Sequence, residues 1–187
     1  MTLKHPTHTS TRSKTLDLTI IAMLATLVFV ATLILNIKLP LPGNGGLVHL
    51  GTAMLFISSI LFGPKKGAYA GAIGLGLFDL VGGWVLWAPI TIIARALQGY
   101  IVGKIAWSNE KNGTSFLYNL LALVVSIPVM MSIYYIGESI LYGNWITPLT
   151  SLPGDFMQNI LGVFLALPVC KILQKMPTIK KYLLRNS

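Results

Sequence analysis

The feature that most constrains this chain is a series of six apolar runs separated by short polar or glycine- and proline-rich segments. A bilayer core about 30 Å thick is crossed by roughly 20 apolar helical residues, and lipid forces the backbone of such segments to satisfy its own hydrogen bonds. Only 10% of the 187 residues are charged, against about 25% in soluble domains. We therefore predict an all-α integral membrane protein with six transmembrane helices, at 16–35, 47–62, 68–83, 89–107, 116–141 and 154–173.

The placement of lysine and arginine predicts the orientation of these helices, because cytoplasmic segments carry an excess of both residues. With the N-terminus inside, the outer segments hold only Lys38. The inner segments hold twelve basic residues: Lys4, Arg12, Lys14, Lys65, Lys66, Lys104, Lys111, Lys171, Lys175, Lys180, Lys181 and Arg185. We expect both termini to be cytoplasmic. The net charge of +9 thus reflects topology, and we expect no nucleic-acid partner.

Three regions follow from this arrangement. Residues 1–15 are polar and are predicted to form a disordered cytoplasmic tail, residues 16–175 form the six-helix membrane domain, and residues 176–187 form a basic cytoplasmic tail. Segment 36–46 contains two prolines and three glycines, so we expect a loop without regular structure there.

Asp79 in the third predicted span and Arg95 in the fourth are charged residues well inside apolar segments. A charged side chain at the centre of a span costs roughly 2.5 to 3.5 kcal/mol on insertion scales, so it needs a partner or a watery cavity. A rise of 1.5 Å per residue places Asp79 about 18 Å and Arg95 about 21 Å above the inner face. The two residues are close enough in depth to form a structural ion pair or to border one ligand cavity, and both alternatives stay open.

Polar and aromatic side chains gather towards the outer face, whereas the inner half is apolar and rich in glycine. Such an asymmetry favours a pocket that opens outwards and binds a flat ring with polar substituents, and it suits neither a channel nor a transmembrane proton relay. Asp155 could equally be a helix N-cap, and a histidine near a helix start is often structural. The candidate binding residues are His49, Asp79, Trp84, Trp87, Arg95, Gln98, Tyr135, Glu138, Asp155, Gln158 and Asn159.

Motifs for nucleotide hydrolysis, zinc hydrolysis and serine hydrolysis are absent from the sequence: it has no Walker A, HExxH, CxxC or GxSxG pattern. We therefore expect no enzyme, no metal site and no ATP hydrolysis in this chain. The one candidate pair for catalysis is His49 with Asp79.

The order of several local patterns resembles a known family. An FGPKKG turn at 62–67 is followed by a glycine-rich third helix that ends in Asp79 and the Gly-Gly pair at 82–83, by the tripeptide WAP at 87–89, and by Gly99 and Gly103 in the fourth helix. This layout resembles the substrate-binding S components of energy-coupling factor (ECF) vitamin transporters.

The resemblance implies that the chain binds a water-soluble vitamin at the outer side of a bacterial plasma membrane, as a multi-pass protein. It implies a transmembrane coupling subunit (T component) and two cytoplasmic ATPases as partners, with ATP and Mg²⁺ bound there and no cofactor in this chain. The loop 39–46 would be the lid over the pocket. The family's Ala-xxx-Ala docking motif corresponds to Ala22-xxx-Thr26, with Ala25 nearby, where small side chains permit close helix approach.

The substrate is less defined by the sequence. Similarity is greatest to the hydroxymethylpyrimidine or pyridoxine type, and pantothenate and riboflavin remain open. A self-sufficient secondary transporter of a small organic solute, a small membrane enzyme and a structural subunit are the alternatives in other functional classes.

Overall fold

A computed structural model describes residues 9–38 and 47–185 of the chain. Nearly all of these residues are helical, which confirms the predicted all-α class. Two 3₁₀ turns, Ser108–Glu110 and Thr147–Thr150, lie in the connections. The α-helices of the described ranges are α1 Thr9–Ile34, α2 Gly51–Phe62, α3 Pro64–Val81, α4 Ala88–Ala106, α5 Phe116–Tyr142, α6 Leu152–Leu173 and α7 Pro177–Arg185.

Length and composition mark several helices as membrane-crossing. The segments Lys14–Ile34, Phe116–Tyr142 and Thr147–Leu173 are long and apolar enough to span a bilayer, and α2 is a shorter apolar helix. Many large apolar side chains on these helices are exposed, as expected for a surface that faces lipid rather than water.

The connection between α1 and α2 differs from the prediction. Asn36–Lys38 (β1) pairs antiparallel with Leu47–His49 (β2), so the expected absence of regular structure in 36–46 is wrong for its first three residues. The second helix correspondingly starts at Gly51 rather than at residue 47. The pairing gives hydrogen-bond partners to backbone groups between two packed helices, and neither strand contains a proline.

The N-terminal part of the chain also differs. Helix α1 begins at Thr9, so residues 9–15 are helical although they were expected to be disordered. Residues 1–8 and the predicted lid at 39–46 lie outside the described residues.

Glycines set the spacing of α3 and α4, the two helices that carry Asp79 and Arg95. A Cβ on Gly99 would lie 2.6 Å from the Gly67 carbonyl oxygen, and one on Gly71 would lie 3.1 Å from the Arg95 carbonyl oxygen. Real Cβ atoms essentially never show contacts below 3.0 Å, and a contact of 3.1 Å is tighter than nine in ten of those observed. The two backbones therefore touch, which fixes the relative depth of the two charged side chains.

An apolar core fills the end of the bundle that lies away from the hairpin. Residues from α1 to α6 contribute to it, and many of its members are completely buried. The fully buried members are Val28, Leu55, Phe56, Ile60, Ala70, Val102, Ala106, Ala122, Leu123 and Ala166. This apolar core separates the polar groups at the hairpin end from the buried polar residues near the connection between α4 and α5, such as Asn112 and Asn119.

Candidate functional site

A cavity lies at the hairpin end of the bundle. It encloses about 500 Å³ that protein atoms do not fill, counting its open mouth. Strand β2, the turn after α3 and helices α3, α4, α5 and α6 all contribute to its wall. The lining residues are Leu47, His49, Asp79, Trp84, Trp87, Thr91, Arg95, Tyr134, Glu138, Ser151, Asp155 and Gln158.

Eight of the eleven candidate binding residues line this one cavity: His49, Asp79, Trp84, Trp87, Arg95, Glu138, Asp155 and Gln158. Gln98 and Asn159 do not; both are completely buried beneath it. Tyr135 also does not line the cavity, and its hydroxyl donates to the Trp145 carbonyl at 3.0 Å. Neighbouring helix positions differ by about 100° in direction, so Tyr134 faces the cavity and Tyr135 faces away from it.

Sequence reasoning did not assign four of the lining residues: Leu47, Thr91, Tyr134 and Ser151. The last three each precede an assigned residue by four positions, as in Thr91–Arg95, Tyr134–Glu138 and Ser151–Asp155. Residues four apart share one helix face. Helical spacing from the charged residues could therefore have found three of the four.

The guanidinium of Arg95 is anchored by uncharged groups. Nη1 donates to Gln98 Oε1 at 2.8 Å and to Thr52 Oγ1 at 3.4 Å, and Cζ lies 5.3 Å from the centre of the Tyr134 ring. These contacts connect α4 with α2 and α5. Arg95 is only 3% exposed, so it is a fixed part of the cavity wall.

Beneath the cavity a chain of amides connects α4 to α6. Gln98 Nε2 donates to Asn159 Oδ1 at 2.7 Å, and Asn159 Nδ2 donates to the Asp155 carbonyl at 2.7 Å. Since Gln98 also accepts from Arg95, these two residues support the cavity without lining it.

Gln158 ties the hairpin to the same network. Arginine can only donate, so the amide oxygen of Gln158 faces Arg95 Nη2, at 2.9 Å, and also accepts from Thr52 Oγ1 at 2.6 Å. The amide nitrogen then donates to the Leu47 carbonyl, and His49 Nε2 donates to the amide oxygen at 2.9 Å. Burial, assisted by the Arg95 charge, lowers the pKa of His49, in β2, to about 3. His49 is therefore neutral at physiological pH.

Asp79 and Arg95 share the cavity but do not form the structural ion pair that was one of the two alternatives. Among residues 14–38 and 47–183, whose side chains the structure describes, the one ion pair within 4 Å joins Lys66 Nζ and Asp17 Oδ1, at 2.9 Å. That pair lies at the opposite end of the bundle. Asp79 and Arg95 thus lie in the same cavity wall without a direct ion pair between them.

Aromatic rings border the mouth of the cavity. Trp84 and Trp87 meet edge to face with centroids 5.5 Å apart, and Trp87 Nε1 donates to Glu138 Oε1 at 3.0 Å. Tyr142 packs against Trp87, and Lys38 Nζ lies 5.0 Å from the centre of the Trp84 ring. The rings of Trp84 and Trp87 and strand β1 therefore flank the same opening.

Unpartnered polar atoms concentrate at this cavity. In the part of the chain that the structure describes, eight buried side-chain polar atoms lack a hydrogen-bond partner, and six belong to cavity-lining residues. The six are His49 Nδ1, Asp79 Oδ2, Arg95 Nε, Glu138 Oε2, Ser151 Oγ and Asp155 Oδ2. Buried polar groups are normally paired, so this distribution indicates a binding site. No group of three or more His, Cys, Asp or Glu side chains suited to a metal ion occurs among the described residues.

The proposed docking residues on α1 separate into two groups. Ala22 and Thr26 are exposed, and the Thr26 hydroxyl bonds back to the Ala22 carbonyl at 2.9 Å. Ala25 is buried against α3, where a Cβ on Gly74 would lie 2.7 Å from the Ala25 carbonyl oxygen. Ala22 and Thr26 thus face outwards, while Ala25 serves packing within the chain.

Comparison with known proteins places the chain in a family. A family model described as "ECF-type riboflavin transporter, S component" matches residues 12–175. An uncharacterized protein in the gap 3′ region of Pyrococcus woesei is 28% identical over 139 residues, which cover 74% of this chain and 90% of that protein. UPF0397 proteins of Streptococcus pneumoniae strains Hungary19A-6 and CGSP14 are each 30% identical over 120 residues, covering 61% of this chain. The matched region is 64% of the length of these streptococcal relatives.

These matches confirm an ECF S component, which is a membrane-embedded transport subunit and not an enzyme. They do not indicate the hydroxymethylpyrimidine or pyridoxine type that the sequence patterns favoured. The chain belongs to the ECF-type riboflavin transporter S component family.

Proposed function

We propose that this chain is the substrate-specific subunit of an ATP-driven ECF importer and that it binds a small water-soluble vitamin or vitamin precursor in the cavity at the hairpin end. The observation that carries the proposal is the convergence of aromatic faces and unpartnered polar atoms on one cavity above a dry core. Small-molecule sites combine apolar or aromatic walls with a few placed polar groups. A cavity closed at its base by packed side chains can capture a solute but cannot conduct it.

In this proposal α1 to α6 cross the plasma membrane of a bacterium, and both termini lie in the cytoplasm. The distribution of lysine and arginine supports this orientation, which directs the cavity outwards. Helix α2 has 12 residues, or about 18 Å at 1.5 Å per residue. Strands β1 and β2 would lie over the outer end of α2.

The partners in this proposal are a transmembrane T component and two cytoplasmic ATPases. The family supports such an assembly, and the absence of nucleotide-binding motifs from this sequence is consistent with ATP and Mg²⁺ being bound by the ATPases. The exposed pair Ala22 and Thr26 offers a small-residue surface on α1 for the T component. We propose no cofactor in this chain.

For the substrate we propose hydroxymethylpyrimidine or pyridoxine, because Trp84 and Trp87 offer aromatic surface to a small flat heterocycle, and Asp79, Glu138 and Asp155 offer polar partners to its hydroxymethyl groups. Riboflavin is the second candidate, since the description of the matching family names it. Pantothenate is a third, which would place its carboxylate near Arg95.

Binding to the purified chain tests the proposal. Equilibrium dialysis with radiolabelled hydroxymethylpyrimidine, pyridoxine, riboflavin and pantothenate should give saturable binding of at least one. Trp87→Phe should weaken it, because the Glu138 contact and the larger ring are lost, whereas Trp145→Phe, at an exposed position outside the cavity, should not. Absence of saturable binding for all four vitamins would contradict the proposal.

A further inference from the structure

The cavity collects most of the acidic side chains of the protein. Three of the five Asp and Glu residues in the sequence, Asp79, Glu138 and Asp155, line it. Each is buried, with 8%, 3% and 8% of its surface exposed. Arg95 is the only basic side chain in the lining. The wall thus carries more acidic than basic groups in a poorly solvated space.

Protein groups occupy three of the five N–H groups of Arg95. Nη1 is bound to Gln98 and Thr52, Nη2 donates to the Gln158 oxygen, and one face of the guanidinium covers Tyr134. One N–H on Nη2 and the N–H on Nε, an atom without a partner, remain for a ligand. A ligand carboxylate bound there would lie in the same cavity as three acidic side chains.

The remaining unpartnered atoms are mostly acceptors. Because His49 Nε2 donates to Gln158 and the ring is neutral, His49 Nδ1 is an acceptor. Asp79 Oδ2, Glu138 Oε2 and Asp155 Oδ2 add three carboxyl oxygens, which accept hydrogen bonds when the groups are ionised, as they would be beside a cationic ligand nitrogen. Against these four stand one donor, Arg95 Nε, and one hydroxyl, Ser151 Oγ, which can act in either way.

We infer that the substrate of this cavity carries clustered hydrogen-bond donors, including a positively charged or protonatable nitrogen, and bears no carboxylate. Such a nitrogen would pair with the buried carboxylates, whose charge is costly without a partner. The face of Trp87 also attracts a cation, whereas the rings of Trp84 and Tyr134 already contact Lys38 and Arg95. A carboxylate would add a negative charge to three acidic side chains. This inference rests on the proposed function and narrows its substrate class.

Three compounds that share one pyridine ring provide a matched test: pyridoxamine, pyridoxine and 4-pyridoxate differ at one position, which bears an aminomethyl, a hydroxymethyl or a carboxylate group. Thiamin, hydroxymethylpyrimidine, riboflavin and pantothenate complete the panel, measured by isothermal titration calorimetry on the full chain in nanodiscs. We expect the tightest ligand to contain a basic or cationic nitrogen, and 4-pyridoxate to bind at least tenfold more weakly than pyridoxamine.

Two results would overturn the inference and leave the proposed function intact: tightest binding of riboflavin or pantothenate, or binding of 4-pyridoxate as tight as that of pyridoxamine. Failure of every compound to bind would instead overturn both proposals.

Variants in which a neutral amide of similar size replaces one acidic side chain show which carboxylates contribute to binding of the ligand nitrogen. Asp79→Asn, Glu138→Gln and Asp155→Asn should each weaken binding of the tightest nitrogen-bearing ligand by roughly tenfold, the value of one charge-assisted hydrogen bond. Glu110→Gln, which neutralises an exposed residue of an inner loop, is the matched control and should bind as the parent does. Thermal unfolding identifies any variant that fails to fold. Unchanged affinity in three folded cavity variants would overturn the inference.

Discussion

Asp79 and Arg95 line one cavity from adjacent helices without forming an ion pair. The arginine is held instead by the side-chain oxygens of Gln98, Thr52 and Gln158. A charge anchored by neutral dipoles keeps its field, whereas a charge paired with a carboxylate would be neutralised. Asp79 consequently keeps a free carboxylate oxygen, which the cavity can use for recognition.

Removing the Arg95 side chain should destabilise the fold. Arg95→Ala leaves the Gln98 oxygen without its donor, removes one of three donors to the Gln158 oxygen and removes the contact with Tyr134, so we expect a loss of about 1–3 kcal/mol. Arg95→Lys retains the charge but lacks the planar fork of donors and should recover only part of the loss. The midpoint of thermal unfolding in detergent measures both variants. A wild-type midpoint for Arg95→Ala would contradict the role assigned to this network.

The amide pair beneath the cavity should behave as one unit. We expect Gln98→Ala and Asn159→Ala each to lower the free energy of unfolding by about 1–3 kcal/mol, since each leaves a buried partner unsatisfied. The double variant should lose less than the sum, with a coupling of about 0.5–3 kcal/mol. Reversible denaturant unfolding of the parent, the two single variants and the double variant completes this double-mutant cycle. Additive losses would mean that the 2.7 Å contact between the two side chains contributes nothing.

The helices and the location of the site were accessible from the sequence because lipid imposes strong rules. Apolar runs indicated the helices, and charged residues in otherwise apolar segments indicated the cavity, since such residues need a partner or water. Eight of eleven candidate residues consequently line one cavity. The sequence could not show in the same way that Gln98 and Asn159 support the cavity from below instead of lining it. Their depth is similar to that of the lining residues, and only side-chain packing distinguishes the two layers.

The hairpin required the structure. Pairing of Asn36–Lys38 with Leu47–His49 depends on two segments meeting in space, and three-residue strands leave too short a pattern to detect. The exchange of Tyr135 for Tyr134 in the cavity wall is a rotation of one helix position, which the four-residue spacing between Tyr134 and Glu138 could have indicated.

Two tyrosines one position apart provide a test of that rotation. The Tyr134 hydroxyl donates to Thr91 Oγ1 at 2.8 Å inside the cavity, whereas the Tyr135 hydroxyl bonds the Trp145 carbonyl outside it. Tyr134→Phe should therefore weaken vitamin binding by roughly three- to tenfold, the value of one hydrogen bond. Tyr135→Phe should leave affinity unchanged. Equal effects of the two variants in a titration would show that α5 presents a different face to the ligand.

Glycine spacing between α3 and α4 should be essential to the fold. Gly99→Ala places a methyl group 2.6 Å from the Gly67 carbonyl oxygen, so the helices must separate, at a cost of about 1–3 kcal/mol. Gly76→Ala meets only the side chain of Ile92, which is 42% exposed and can move. Thermal unfolding of the two variants separates contact with backbone from contact with a mobile side chain. A larger loss for Gly76→Ala would contradict this packing.

The exposed face of α1 should be needed for assembly and not for vitamin binding. Ala22 and Thr26 point away from the bundle, so Ala22→Leu and Thr26→Leu add bulk where the T component is proposed to approach, and close packing of membrane helices requires small side chains. We expect each variant to fold and to bind vitamin as the parent does, but to co-purify with less T component when the complete transporter is expressed.

Ala25→Leu is the matched comparison on the same helix. Because Ala25 packs against Gly74, its replacement should lower thermal stability, a loss that the two exposed variants should not show. If Ala22→Leu and Thr26→Leu both co-purified with normal amounts of T component, the outward face of α1 would not be the docking surface. The groups on α1 would then matter only through the packing that Ala25 makes within the chain.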